Sequence, residues 1–288
     1  MRALIFGHGY LGQAFAGRLR ADGWGVTATA REPDKRRALA EAGLAVVDPA
    51  DAGPMAQALA EADALLITAA PAPAGCPALK ALGSSLEALP KPLRWVGYIS
   101  STSVYGDRGG KWVNESSALN APTVEGARRA AAERDWLGLG WRSGSPVAIF
   151  RLPAIYGPGR TPFEKLADGT ARIVRKPGQV FNRIHLDDAV AALAASLARP
   201  RAGGVYNVTD DEPAGADAYV EHAARLMGVA SPPEVDWTDP EVSAAMRRFY
   251  LDNKRVSSAR AKAELGWRPR YASWRDGLKA LAPARGPA

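Results

Sequence analysis

The sequence predicts a doubly wound α/β fold: a parallel Rossmann sheet with a small carboxyl-terminal α-rich substrate domain. Three observations carry this. Short apolar runs alternate with helical patterns through the first 158 residues, a glycine-rich turn GHGYLG joins the first run to the first helix, and from Gly157 the texture changes to Gly, Pro and basic residues. Strands buried on both faces of a parallel sheet read as continuous apolar runs rather than alternating ones.

The elements follow in order. ALIF (3–6) is the first strand, and the helix after it runs from Tyr10 to Ala21. VTATA (26–30), LAVVD (44–48) and ALLITAA (64–70) are the next strands, with helices through KRRALAEAG and MAQALAEA between them. WVGYISS (95–101) and PVAIFRL (146–152) extend the sheet and flank a helix in PTVEGARRAAAER (122–134). VFNRIHLDDAVAALAASLA and GGVYNV restore the α/β pattern, and helices are predicted around 216–228 and 257–265 with few strands nearby. The Rossmann domain is accordingly assigned to 1–158 with about 180–208, and the substrate domain to about 159–179 with 209–288. The Pro/Ala-rich APAPAGCPA (70–78) reads as a lid or connection.

Composition narrows the function classes. At 288 residues, 47% hydrophobic and 23% charged, the chain has the balance of a soluble globular protein. No stretch approaches the roughly 18 apolar residues of a membrane span, and MRALIFGHGYLG enters a buried strand without signal-peptide anatomy. A lone Cys76 excludes an intrachain disulfide and suits a reducing compartment, so the expected location is cytoplasmic. The net charge of +7 comes from 37 Lys and Arg scattered among 30 acidic residues, unlike the clustered footprint of a nucleic-acid binder. The expected partner is an anionic small molecule, with no nucleic acid and no membrane, and a homodimer is left open. Metal-ligand spacing is absent.

In GHGYLG, Gly7 permits the tight turn, Gly9 lets backbone approach a pyrophosphate, and Gly12 lets helix and strand pack closely. The helix begins at Tyr10 and Leu11, so its N-terminus faces the anion. At the end of the second strand Arg31 stands where a carboxylate would bond the ribose of NAD, with Lys35, Arg36 and Arg37 behind it. Arginine suits a 2′-phosphate, which favours NADP, while Glu32 keeps NAD open. Ser101, Thr102 and Ser103 crown a strand end where open α/β sheets bind ligands; Ser101 either orients a reacting oxygen or only satisfies the turn. Tyr105 faces the pocket or packs against its wall. His185 reads as an anchor at a helix start near the capping Asp187 and Asp188, His8 as a phosphate contact or a variable loop residue, and His222 as structural or exposed.

Through GHGYLG, VVD, YISSTSVYGD, RLPAIYGPGR, NRIHLDDAVAAL and VYNVTDDEP, taken in this order and spacing, the chain resembles the extended short-chain dehydrogenase/reductase family, the NAD(P)-dependent epimerases and dehydratases. The resemblance implies that Asp48 meets the adenine. It implies that Ala69, Ala70 and Pro71, with Ser100, line the cofactor, and that Leu152 and Pro153 lie beside the nicotinamide. Family members carry Tyr-x-x-x-Lys on the helix after the SSxxxYG strand end. Laying YGxxKxxxE on EGARRAAAE puts Glu125 at the tyrosine and Arg129 at the lysine. An i,i+4 ion pair between them is expected, with Glu125 or Tyr105 moving the proton and Arg129 holding the ribose. Phe181 replaces an arginine that nucleotide-sugar members use for a diphosphate, and Arg160, Arg183 and Arg255 remain as a basic substrate lining. The implied activity is an NAD(P)-dependent oxidoreductase or epimerase on a small anionic, sugar-like substrate. The alternative is an NADP(H)-binding sensor or scaffold without turnover.

Overall fold

A computed structural model of the chain describes residues 1–283; the last five residues assigned to the substrate domain, 284–288, lie outside the described residues. The strands are β1 (Arg2–Phe6), β2 (Gly25–Thr29), β3 (Ala45–Val47), β4 (Ala64–Ile67), β5 (Trp95–Ser101), β6 (Trp112–Val113), β7 (Val147–Leu152), β8 (Ala154–Tyr156), β9 (Ile173–Arg175), β10 (Arg183–His185), β11 (Gly204–Asn207), β12 (Glu234–Asp236) and β13 (Arg255–Val256). The helices are α1 (Tyr10–Ala21), α2 (Pro33–Glu41), α3 (Ala52–Ala60), α4 (Pro77–Glu87), α5 (Val124–Ser143), α6 (Phe163–Ala167), α7 (Leu186–Ala198), α8 (Ala216–Met227), α9 (Ala244–Phe249), α10 (Ala259–Leu265) and α11 (Trp274–Leu281). Among the described residues no helix is long and apolar enough to cross a membrane.

Seven strands form one parallel sheet in the order β11-β7-β5-β4-β1-β2-β3. The chain winds outward from β1 to β3, then returns to β4 and winds the other way, so the strand order reverses beside β1. Ligands of open α/β sheets bind in the crevice at such a reversal. One face of the sheet is covered by α1, α7 and α10, around Phe15, Trp95 and Leu193. The other carries α3, α4 and α5, around Met55, Leu82 and Trp136. With both faces buried, the central strands have no polar side to show, which is why they read as unbroken apolar runs.

The helix in PTVEGARRAAAER starts where Thr123 accepts the Gly126 N–H at 3.1 Å, and runs on to a left-handed Gly144. Its buried stripe, Ala130, Glu133, Trp136 and Gly140, has helical spacing. A second lobe packs α6, α8 and α11 around Tyr156, Phe163 and Trp274. The carboxyl-terminal segment is not wholly in that lobe: Ala261, Leu265 and Trp267 join the Rossmann core, and β13 pairs with β6. The apolar side of α10 closes the sheet face next to α7, which is why the chain returns.

Candidate functional site

At the carboxyl ends of β1, β2 and β4, Gly7, His8, Gly9, Arg31, Lys35, Ala69, Ala70 and Lys80 surround a groove of about 820 Å³. Gly7 has φ +102°, and a Cβ there would come within 2.7 Å of Thr68 Oγ1. A Cβ on Gly12 would sit 2.4 Å from the Gly7 carbonyl oxygen, whereas one on Gly9 would meet nothing within 4 Å. Thus Gly7 and Gly12 are required by packing, and Gly9 leaves room for a ligand. The first turn of α1 has neither an acidic residue nor a capping side chain, so its free N–H groups suit an anion such as a pyrophosphate. Leu11 and Leu152 have side chains in the core, and only their backbones could contribute. Tyr10 leaves the groove to donate to the Pro158 carbonyl at 2.9 Å, with Arg160 stacked 4.2 Å from its ring.

The basic cluster after β2 divides into two parts. Arg36 ties the loop together, donating to the Ala30 carbonyl at 3.1 Å and pairing with Asp48 at 2.6 Å. Asp48 is therefore committed to Arg36 and to the Ala50 N–H, while its neighbours Pro49 and Ala50 line the groove. Arg31 is 83% exposed along its side chain, with only a long 4.0 Å contact to the exposed Glu32. The backbone at Pro71 passes between two lining residues, Ala70 and Ala72.

A second pocket, about 530 Å³, lies at the end of β5 and is lined by Ser101, Thr102, Glu125 and Pro153 together with Asn182, Phe249, Asp252 and Lys254. Ser101 Oγ accepts the Ser103 N–H at 3.2 Å, so the turn reading holds, and the hydroxyl still borders the pocket. The expected Glu125–Arg129 pair does not form. Glu125 points to the exposed rim and pairs with Arg248 of α9 at 3.5 Å. Arg129 turns under the sheet end and donates to the Ile99 carbonyl at 3.1 Å, outside the groove and pocket linings. Helical spacing brings the two within reach, but each finds a tertiary partner instead.

Two other expected residues are also diverted. Tyr105 is fully buried; it donates to Asn207 Oδ1 at 2.7 Å and accepts from Arg151 Nη1 at 2.9 Å, so its hydroxyl is not available to the pocket. Ser100 donates to Glu133, which Arg151 grips through Nε and Nη2, the latter at 2.7 Å. Glu133 is the glutamate at the end of the YGxxKxxxE pattern. This buried network fixes α5 against β5 and β7.

A third cavity, about 760 Å³, lies against the second lobe and holds Arg160, Lys165, Arg172 and Arg183 with Glu241 as its one acidic lining residue. Arg183 stacks 4.3 Å from the Tyr219 ring and donates to the Ala214 carbonyl at 3.1 Å; burial lowers its pKa. Arg255 is not there. It bonds the Gly110 carbonyl beside the β6–β13 pair. His185 caps α7 itself, its Nδ1 accepting the Asp187 N–H at 3.1 Å, while Asp188 instead accepts the N–H groups of Arg270 and Tyr271. Burial lowers the pKa of His185, which leaves it neutral as that cap requires. His222 packs edge-on against Trp274. His8 borders the groove, with its pKa lowered by burial and then by Lys35.

Sequence reasoning missed Asp252 and Lys254. They stand in a short polar stretch, LDNKR, whose periodicity gives no sign that it returns to the end of β5. Burial lowers the pKa of the Lys254 ammonium, and Asp252 partly opposes that shift.

The seven-stranded parallel sheet, the glycine cradle at its reversal and the appended lobe make up the extended short-chain dehydrogenase/reductase fold, shared with solved NAD-dependent epimerases and dehydratases. The chain belongs to the family of Protein YeeZ from Escherichia coli strain K12, to which it is 32% identical over 247 residues, 80% of this chain and 85% of that protein. It is also 33% identical to a 3-diazoavenalumate denitrifying reductase from Streptomyces over 174 residues, 56% of this chain and 52% of that enzyme. A conserved protein of unknown function from Silicibacter pomeroyi superposes with TM-score 0.87 at 41% identity, covering 97% of each chain. The dTDP-glucose 4,6-dehydratase DesIV from Streptomyces venezuelae, solved with NAD and TYD, shares the fold at TM-score 0.80 and 23% identity, covering 98% of this chain and 96% of that one. No family model matches.

Proposed function

We propose that the chain is a cytoplasmic NADP(H)-dependent oxidoreductase or epimerase-like enzyme acting on a small anionic substrate. The observation that carries this is the arrangement of three spaces. The glycine groove and the Ser101 pocket both lie at the carboxyl ends of one parallel sheet, and the pocket shares Ala154 with the basic cavity. The residues fit a dinucleotide: the uncapped start of α1 would hold the pyrophosphate, and Arg31 with Lys35 would hold a 2′-phosphate. When bound, that cofactor supplies hydride transfer. Ser101 would orient a substrate oxygen, and Arg160 and Arg183 would receive the anionic end. The name of the reductase relative is consistent with such chemistry.

The test is hydride exchange between labelled NADPH and a panel of carbonyl metabolites, with Ser101→Ala as control. Exchange that is lost in the variant supports the enzyme. One observation favours a second reading, an NADP(H)-binding sensor or scaffold: the glutamate at the tyrosine position is spent on an exposed ion pair with Arg248. Tight cofactor binding without exchange across the panel would select that reading.

A further inference from the structure

Of the residues expected to move the proton, Tyr105 is sealed in a buried network and Glu125 is engaged at the rim, and Arg129, expected at the ribose, is bonded to a backbone carbonyl. The titratable side chains lining the Ser101 pocket are Glu125, Arg248, Asp252 and Lys254. Glu125 and Arg248 hold each other, and arginine does not release its proton at working pH. That leaves Asp252 and Lys254.

Lys254 is 6% exposed. Its Nζ donates to the Gly106 carbonyl at 3.0 Å and lies 3.2 Å from Asp252 Oδ2, so two of its three donor positions are used and one remains. Asn182 clamps the backbone on both sides, donating to the Lys254 carbonyl at 3.0 Å and accepting the Val256 N–H at 2.8 Å. The second carboxylate oxygen, Asp252 Oδ1, is buried without a partner. A long flexible side chain is thus held by a fixed backbone, a carbonyl and a carboxylate at the wall of the pocket that Ser101 borders.

The geometry points to Lys254, oriented by Asp252 and the Gly106 carbonyl, as the group that exchanges a proton with the substrate oxygen in this pocket, in place of the missing Tyr-Lys pair. The inference rests on the enzyme reading given above. Oxidation of an alcohol would break its O–H and C–H bonds: the hydroxyl proton would go to the neutral amine of Lys254, which becomes an ammonium, and a bound nicotinamide would supply the hydride acceptor. Reduction of a carbonyl reverses both transfers. Burial favours the neutral amine; Asp252 and Asp107 oppose it, Arg108 adds to it, and Glu125 and Arg248 face the same pocket from α5 and α9. A lysine tuned downward in this way is a better proton carrier near working pH.

The experiment has two readouts. In full-length protein labelled at lysine Cε, the Lys254 resonance, assigned with Lys254→Arg, is titrated alone, with NADP+ and with NADPH. A midpoint below that of ordinary lysines, lower again with NADP+, whose nicotinamide ring is cationic, than with NADPH, is expected. An ordinary midpoint, or one that the bound cofactor leaves unmoved, overturns the assignment even if exchange is observed. In the exchange assay Lys254→Arg, which keeps the cation but cannot shed the proton, is expected to lose roughly 100-fold or more of turnover with cofactor affinity unchanged. Full turnover in this variant also overturns it. Failure of the wild-type protein to bind NADP+ or NADPH refutes the enzyme reading, and the role of Lys254 falls with it.

Discussion

Replacing Glu133 with glutamine perturbs the network beneath the carboxyl end of β5. The Glu133 and Arg151 side chains are 3% and 6% exposed. Arg151 donates to Glu133 from Nε and Nη2 and reaches only the Tyr105 hydroxyl from Nη1. Glutamine keeps one acceptor and turns an NH2 group toward the guanidinium, leaving a buried cation without its counter-charge. Removing one partner of such a pair costs about 3–5 kcal/mol, far more than the pair itself contributes over an apolar replacement. At roughly 2–4 °C per kcal/mol for a chain of this size, Tm should fall by about 10 °C. The double variant Glu133→Leu, Arg151→Met removes both charges and is expected to return to within about 2 kcal/mol of wild type. Urea and thermal unfolding of the three proteins measure this. A loss below about 1 kcal/mol in the single variant, or a double variant less stable than Glu133→Gln alone, would refute the argument from buried charge.

Other expectations are as direct. Arg31→Ala should weaken NADPH binding at least ~10-fold more than NADH binding by calorimetry, because charge-assisted bonds to a 2′-phosphate are lost only in the former; equal losses would exclude that role. Gly12→Val should abolish dinucleotide binding and cost roughly 1–3 kcal/mol of stability, since even a Cβ collides with the Gly7 carbonyl; a variant that binds normally would contradict the packing. Asp210 is 2% exposed, and burial raises its pKa from 3.8 to about 8. The folded state therefore holds a proton that the unfolded chain gives up, and the stability this contributes is fullest below pH 3.8 and is lost as pH rises through about 8. Relative to Asp210→Asn, the wild type should lose on the order of 3 kcal/mol between about pH 5 and about pH 8 in urea unfolding, and the opposite trend would count against burial as the cause.

The helix α1 runs from Tyr10 to Ala21, the bounds read from sequence, and β5 covers WVGYISS as expected, because apolar periodicity and a glycine turn are local properties. The glycine groove was legible for the same reason: one strand, one turn and one helix carry it. Domain assignment was less so, since nothing local in residues 257–265 announces that their apolar side packs on α7 and β11. The short strands β12 and β13 were invisible because two or three residues give no period.

What the sequence alone determined is the fold class, the parallel sheet and the cradle at its reversal. What only the tertiary structure decided is where each side chain spends its bonding capacity. Glu125 and Arg129 are four residues apart on one helix face, yet one pairs with Arg248 and the other with the Ile99 carbonyl. Ser100 and Tyr105 join Glu133 and Arg151 in a buried network, and Lys254, far along the chain, takes a wall of the pocket. Backbone form follows from short-range pattern, whereas the partner of a charged or hydroxylic side chain is set by which distant segments pack against it and how completely they exclude water.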